Sequence, residues 1–265
     1  MSKKELLERI VDSPVDRRKF MKRAGATGLG VAAMTMMGGS LGKLNAATVT
    51  DADIVNFALN LEYLEAEFYL MATYGTTLVR SGVISAADTT GPTTGGNMVN
   101  FAGANSAFVA SSLRIDEVAH VKYLRTALGA AAVKKPAINL DALGYGFAGV
   151  NDFLKLGRQF EDVGVSAYLG AAPLITSKAY LDAAARIMDT EAQHSGAVRL
   201  LCVWNGVNSP AVDGKDVPPT QSKPFCVDSN ALSIPRTTSE VLHIVYGGGA
   251  HSGGFYPQGM NGTIK

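Results

Sequence analysis

Cysteine is scarce in this chain: Cys202 and Cys226 are the only two among 265 residues. Two thiols can build neither a disulfide-stapled scaffold nor a four-cysteine zinc site. Long apolar runs are missing as well. No stretch of roughly eighteen residues is free of glycine and polar breaks, which argues against a multi-span membrane protein. Charge is sparse, at 18% of residues, and nearly balanced, at a formal net of +1. The balance conceals a split. Residues 1–46 carry nine Lys or Arg against four acids, and the other 219 carry 15 bases against 19 acids. So mildly acidic a body has no electrostatic footprint for nucleic acid. What is present is a 47% hydrophobic composition on a chain long enough to bury a core, which excludes disorder and collagen-like structure.

The basic segment reads as an address. Residues 16–22 are DRRKFMK: an arginine pair (Arg17, Arg18), then Phe20 and Lys22. This resembles a twin-arginine export signal. A weakly hydrophobic, Gly/Ala-rich stretch follows over 24–42, and the small residues at Ala46 and Ala47 suit a signal peptidase. Residues 1–46 are therefore expected to be a signal peptide engaging the twin-arginine machinery. No cysteine for a lipid anchor lies nearby, so no membrane anchor is expected after cleavage. As that resemblance implies, the chain crosses its membrane folded, and a periplasmic or secreted location follows. In such an oxidising place Cys202 and Cys226 are either a disulfide or two separate thiols, and the sequence leaves both open.

Helical periodicity appears in four places: 52–74, with Asp51 or Asp53 as cap and Gly75 as stop; 105–128; 150–171, with Asn151 or Asp152 as cap; and 177–204. A Gly/Thr-rich insertion over 81–104 reads as a loop. The third and fourth helices are joined by a few residues, the second and third by about twenty. That spacing predicts an all-α four-helix bundle over 47–204 with one long crossover, the ferritin-like connectivity. Residues 205–265 are expected to be an irregular extension packing on the bundle, with one ordered piece at Ser239–Tyr246. Cys202 and Trp204, at the end of the fourth helix, are expected to pack that tail.

The chemistry sits in a repeated motif. Glu117 and His120 on the second helix, and Glu191 and His194 on the fourth, are both Glu-x-x-His. Residues i and i+3 share a helix face, so each pair can aim a carboxylate and an imidazole at one point. The third helix adds Glu161. The first offers Glu62, on the stripe with Ala58 and Leu61, and Glu65, which shares part of that face; Glu67 points elsewhere and is expected to be solvated or paired. One such element per helix is the pattern of di-iron and di-manganese carboxylate bundles. Four carboxylates balance two divalent ions, and oxygen-rich ligation with two imidazoles favours iron or manganese.

On these residues the chain resembles the ferritin-like superfamily. NLEYLEAEFYLMA, DEVAH and the closing GGFYPQGMNG resemble, more narrowly, the desiccation-related ferritin-like proteins. The resemblance implies metal ligands at Glu62, Glu117, His120, Glu161, Glu191 and His194, holding two Fe or two Mn ions. Asp116 is either a surface acid or a proton acceptor for an imidazole on another helix. Tyr69 and Tyr168, two turns beyond Glu62 and Glu161, are read first as core packing and second as hydrogen-bond donors or redox-active groups near a ligand. His243 and His251 are expected in loop or capping roles.

Three functions fit. The first is a redox enzyme acting on peroxide or dioxygen, in the manner of the manganese catalases that this arrangement resembles. The second is iron sequestration, which needs a closed cage. The third is a non-enzymatic desiccation or stress scaffold. A homo-oligomer is compatible with each.

Overall fold

The computed structural model describes residues 49–265, and the expected signal peptide lies outside the described residues. Four long helices carry the fold: α1 (Asp51–Tyr74), α2 (Ser106–Leu128), α3 (Val150–Ala171) and α4 (Lys178–Trp204). A short helix, α5 (Thr238–Val245), lies in the C-terminal extension. α1 packs chiefly on α2, and α3 on α4. The architecture is an all-α bundle, with its long crossover between α2 and α3.

Each helix start has a local cause, and two differ from expectation. Thr50, not Asp51 or Asp53, caps α1: its hydroxyl takes the Asp53 amide while the Asp53 carboxylate takes the Thr50 amide, a reciprocal capping box. Asp51 is thereby free to accept the Thr176 and Ser177 amides at the start of α4, which pins the two helix starts together. Gly149 occupies the cap position of α3, and Asp152 reaches back to the amides of Gly146, Phe147 and Ala148. At the far end of α1, Gly75 takes the left-handed conformation (φ 59°) that a non-glycine residue adopts only at a cost.

α1 is buried around most of its circumference, as a central helix must be. Its outer side is covered by irregular chain from two places. The 81–104 segment is not wholly loop. It contributes β1 (Thr93–Thr94), which pairs in parallel with β2 (Ile138–Asn139) of the α2–α3 crossover. Two-residue strands are too short to leave an alternating pattern in the sequence. The last residues of the chain cover the rest: Tyr256 donates to the Asn60 carbonyl at 2.7 Å, and Asn60 and Asn261 exchange two hydrogen bonds.

The extension is held to α3 and α4 by buried ions. Arg158 donates to Ser209, Asp216 and the Pro210 carbonyl, and Arg199 to Asp162 and the carbonyls of Pro224 and Val217. Arg236 grips Asp213 and Ser166. Where that strand crosses α3 the backbones nearly touch: a Cβ on Gly170 would lie 1.8 Å from the Arg236 carbonyl oxygen. Only glycine fits there.

One expectation is corrected, and two that were left open are settled. Trp204 does not pack the tail; it is 74% exposed, because it sits two residues past Cys202 and so on the opposite side of α4. Cys202 is buried and Cys226 half-buried, and both are free thiols. Glu67 is not solvated: it is fully buried, accepts the Leu78 amide, and lies 3.8 Å from the equally buried Lys135 ammonium.

Candidate metal centre

All six expected ligands converge at mid-bundle. Glu62, Glu117, Glu161 and Glu191 are fully buried, and His120 and His194 nearly so. They fall into two overlapping groups, each with its potential ligand atoms within 4.8 Å of one another: Glu62, Glu117, His120 and Glu191; and Glu117, Glu161, Glu191 and His194. Glu117 and Glu191 belong to both groups. Glu62 with His120 flanks one side, and Glu161 with His194 the other.

The donor set is under-satisfied by protein alone. Glu117 Oε1, Glu161 Oε2, both Glu191 oxygens and His194 Nδ1 are buried without a hydrogen-bond partner. His194 Nδ1 does lie 3.0 Å from Glu117 Oε1 and 3.4 Å from Glu161 Oε2, but these contacts are misaligned for hydrogen bonding. His120 Nδ1 sits 3.2, 3.3 and 3.4 Å from oxygens of Glu62, Glu117 and Glu191. Orphaned buried polar atoms are rare and costly, and here they all point at one small volume. Bound cations would satisfy them, so these residues fit a metal centre.

The electrostatics agree. Burial raises Glu117 to about 7, reinforced by Glu62 and opposed by the two histidines. Burial and the neighbouring carboxylates push Glu191 well above the usual range. Burial alone would lower His194, but Glu161 and Glu117 push it up to about 12. His120 is likewise raised: burial opposes, and Glu62, Glu117 and Glu191 prevail. Without cations the cluster must take up protons, the signature of a site built for positive charge.

The surroundings hold these ligands in place. Asp116, a half-buried acid, lies 3.1 Å from His194 Nε2, a contact that favours the proton on Nε2 and, in the neutral ring, turns the Nδ1 lone pair to the cluster. Tyr69 of α1 donates to Glu161 of α3, and Tyr168 of α3 donates to Glu62 of α1. The two tyrosines are core residues and hydrogen-bond donors at once, each orienting the carboxylate on the other helix. Glu65 stands next to the cluster but outside both groups, 4% exposed, its pKa pushed far up by burial and by the other four glutamates. A solvent cleft of about 520 Å³ between α2 and α4, lined by Ala119, Tyr123, Ala183 and Ile187, reaches His120.

Phenylalanine at position 69 or 168 is expected to cost about 1–3 kcal/mol, since each change strips a buried carboxylate of its donor. Chemical denaturation of the single variants measures this, and a loss below about 0.5 kcal/mol would show the tyrosines to be packing only.

A family profile described as a ferritin-like domain matches residues 50–203. The chain belongs to the ferritin-like family. The match spans α1 to α4 and stops at the end of the bundle, leaving the extension outside it. No curated protein matches the chain.

Other candidates do not join the site. His243 and His251 are exposed, in α5 and the loop beyond it. Asp162, Asp216 and Cys226 lie close together, but Arg158 bonds both aspartates and Arg199 bonds Asp162, so protein cations already answer the charge. Sequence reasoning missed those two arginines. Their signal was Arg158 and Asp162 at i and i+4, a spacing that reads by default as a surface pair.

Proposed function

We propose that this ferritin-like protein is an exported redox protein whose bundle holds two iron or two manganese ions and acts on peroxide or dioxygen. The observation that carries the reading is the convergence of four buried carboxylates and two imidazoles with unpartnered atoms on one point. Oxygen-rich ligation with two nitrogens suits iron and manganese better than zinc or copper(I). Bound there, either metal supplies electron transfer to a small oxidant.

The chain's own residues divide the remaining work. Glu117 and Glu191, shared by both groups, are placed to serve both ions, and Glu62 with His120 and Glu161 with His194 to serve one each. Asp116 fixes the His194 tautomer, while Tyr69 and Tyr168 hold the outer glutamates. The cleft at His120 gives a molecule the size of peroxide a way in, while the apolar core behind the site keeps bulk water out.

The resemblance of NLEYLEAEFYLMA, DEVAH and GGFYPQGMNG to the desiccation-related ferritin-like proteins supports a role in stress protection. The DRRKFMK segment supports folded export, which would let the cytoplasm load iron or manganese before copper and zinc, which bind more tightly, can compete. Rerouting the protein through an unfolded-export pathway is then expected to change the bound metal, and an unchanged metal would count against loading before export.

Elemental mass spectrometry of the exported protein tests the central reading. About two Fe or Mn per chain are expected, with loss of both in a Glu117→Ala/His194→Ala double variant, since Glu117 belongs to both groups and His194 to one of them. Peroxide turnover by the loaded protein then separates catalysis from sequestration. Absence of metal from the native protein, or metal indifferent to the double variant, would leave a scaffold and end the redox reading.

A further inference from the structure

The centre is built from two like halves, and among its glutamate and tyrosine positions on α1 and α3 the two halves differ at one pair. α1 presents Glu62 and Tyr69, α3 presents Glu161 and Tyr168, and each tyrosine serves the glutamate of the other helix. α2 and α4 repeat Glu-x-x-His. In this correspondence Glu65, one turn beyond Glu62, matches Gly164, one turn beyond Glu161. A carboxylate on one side thus stands against a bare Cα on the other.

The glycine has a measurable consequence. Gly164 lies inside α3, where glycine costs about 0.5–1 kcal/mol relative to alanine. A Cβ there would stand 2.6 Å from Glu191 Oε2 and 3.2 Å from Glu65 Oε1. The missing methyl is the space into which these two carboxylates reach. Among the described residues Glu65 has no ion-pair cation, and the charges that act on it most strongly are Glu191, Glu117, Glu161 and Glu62. Tyr256 lies near enough to feel its charge, but the Tyr256 hydroxyl donates to the Asn60 carbonyl. A buried carboxylate held only among like charges is costly unless a cation completes the set.

We propose that Glu65 is an additional metal ligand, lodged beside Glu191 in the space left by Gly164, and that its charge biases the centre toward the higher oxidation state. The proposal rests on the metal reading above. Four carboxylates neutralise two divalent ions, so a fifth leaves the divalent pair with an excess negative charge and halves the excess positive charge of a trivalent pair. Oxidation is favoured and the midpoint potential falls.

The test uses metal-loaded full-length protein with Glu65→Gln and Gly164→Ala. Two readouts are taken, metal retained against a competing chelator and midpoint potential by redox titration. Glu65→Gln keeps shape and burial while removing the charge. It is expected to lower metal affinity about 10-fold or more and to raise the potential. Gly164→Ala crowds the same carboxylates and should shift both readouts in the same direction, with little further effect in the Glu65→Gln background, because both changes act through one contact. If wild type binds two ions and Glu65→Gln matches it in chelator resistance and potential, Glu65 is not a ligand while the metal centre stands. If wild type binds no metal, both proposals fall together.

Discussion

Glu191→Gln is expected to push stability and metal binding in opposite directions. The metal-free variant should be more stable than metal-free wild type by about 1–4 kcal/mol at neutral pH, and it should lose both ions. Glu191 is fully buried, neither of its oxygens has a hydrogen-bond partner, and burial, Glu117 and Glu161 all push its pKa up. Its folded pKa lies above its unfolded value. The folded protein therefore holds a proton that the unfolded chain gives up, and stability falls as pH rises above the ordinary glutamate range. Glutamine keeps the shape but has no charge to bury. The gain should thus vanish below about pH 4, where both states of wild type are protonated, and grow above it. Urea unfolding of chelated samples across pH gives this directly. A variant less stable than wild type at neutral pH would mean that Glu191 is satisfied without metal, contrary to the argument for the site.

The second large effect lies away from the metal. Asp162→Ala is expected to cost about 3–5 kcal/mol and to loosen the C-terminal extension. Asp162 accepts from Ser195 at 2.6 Å and from both Arg158 and Arg199, all buried in the α3–α4 interface. Those same guanidiniums hold the tail through Asp216 and the carbonyls of Pro210, Val217 and Pro224. Removing the carboxylate leaves two buried cations short of charge, and a buried cation without its anion costs far more than the intact pair contributes. Denaturation should show the loss, and limited proteolysis should show faster cutting between residues 205 and 237. An unchanged proteolysis pattern would mean that the extension is held by its apolar contacts alone. Metal content per folded chain should not change, since the hydrogen bonds of Asp162 go to Arg158, Ser195 and Arg199 and to none of the proposed ligands.

The two networks place different demands on the same helices. The glutamate–histidine cluster is an excess of anions at the centre of the bundle, relieved only by bound protons or added cations. The Asp162 network is an ion cluster that the chain balances itself. α3 carries both: Glu161 faces the centre and Asp162 faces the extension, side by side in sequence. A one-residue change of direction, about 100° around the helix, separates a metal ligand candidate from a structural anchor.

Much of the bundle could be read before any coordinates. Helix bounds followed from 3.6-residue periodicity and from stops such as Gly75 and Gly129, because those are local properties of the chain. The two Glu-x-x-His pairs were visible for the same reason: i and i+3 share a face whatever the helix packs against. The long α2–α3 and short α3–α4 connections gave the order of the bundle. Other features depend on partners distant in sequence, and there local pattern is silent. Tyr69 finds Glu161 and Tyr168 finds Glu62 across roughly a hundred residues, so spacing could only leave their roles open between packing and hydrogen bonding. Glu67 was open between a solvated and a paired charge, and Lys135, from the crossover, decides for the pair. Trp204 looked like a lid for the tail, yet the rotation of α4 turns it to solvent. Gly164 carried no meaning until it stood opposite Glu65. Sequence determined which side chains share a face on each helix; only the packing of one helix against another decided which faces meet, because burial, ion pairing and close approach are properties of two surfaces and not of one.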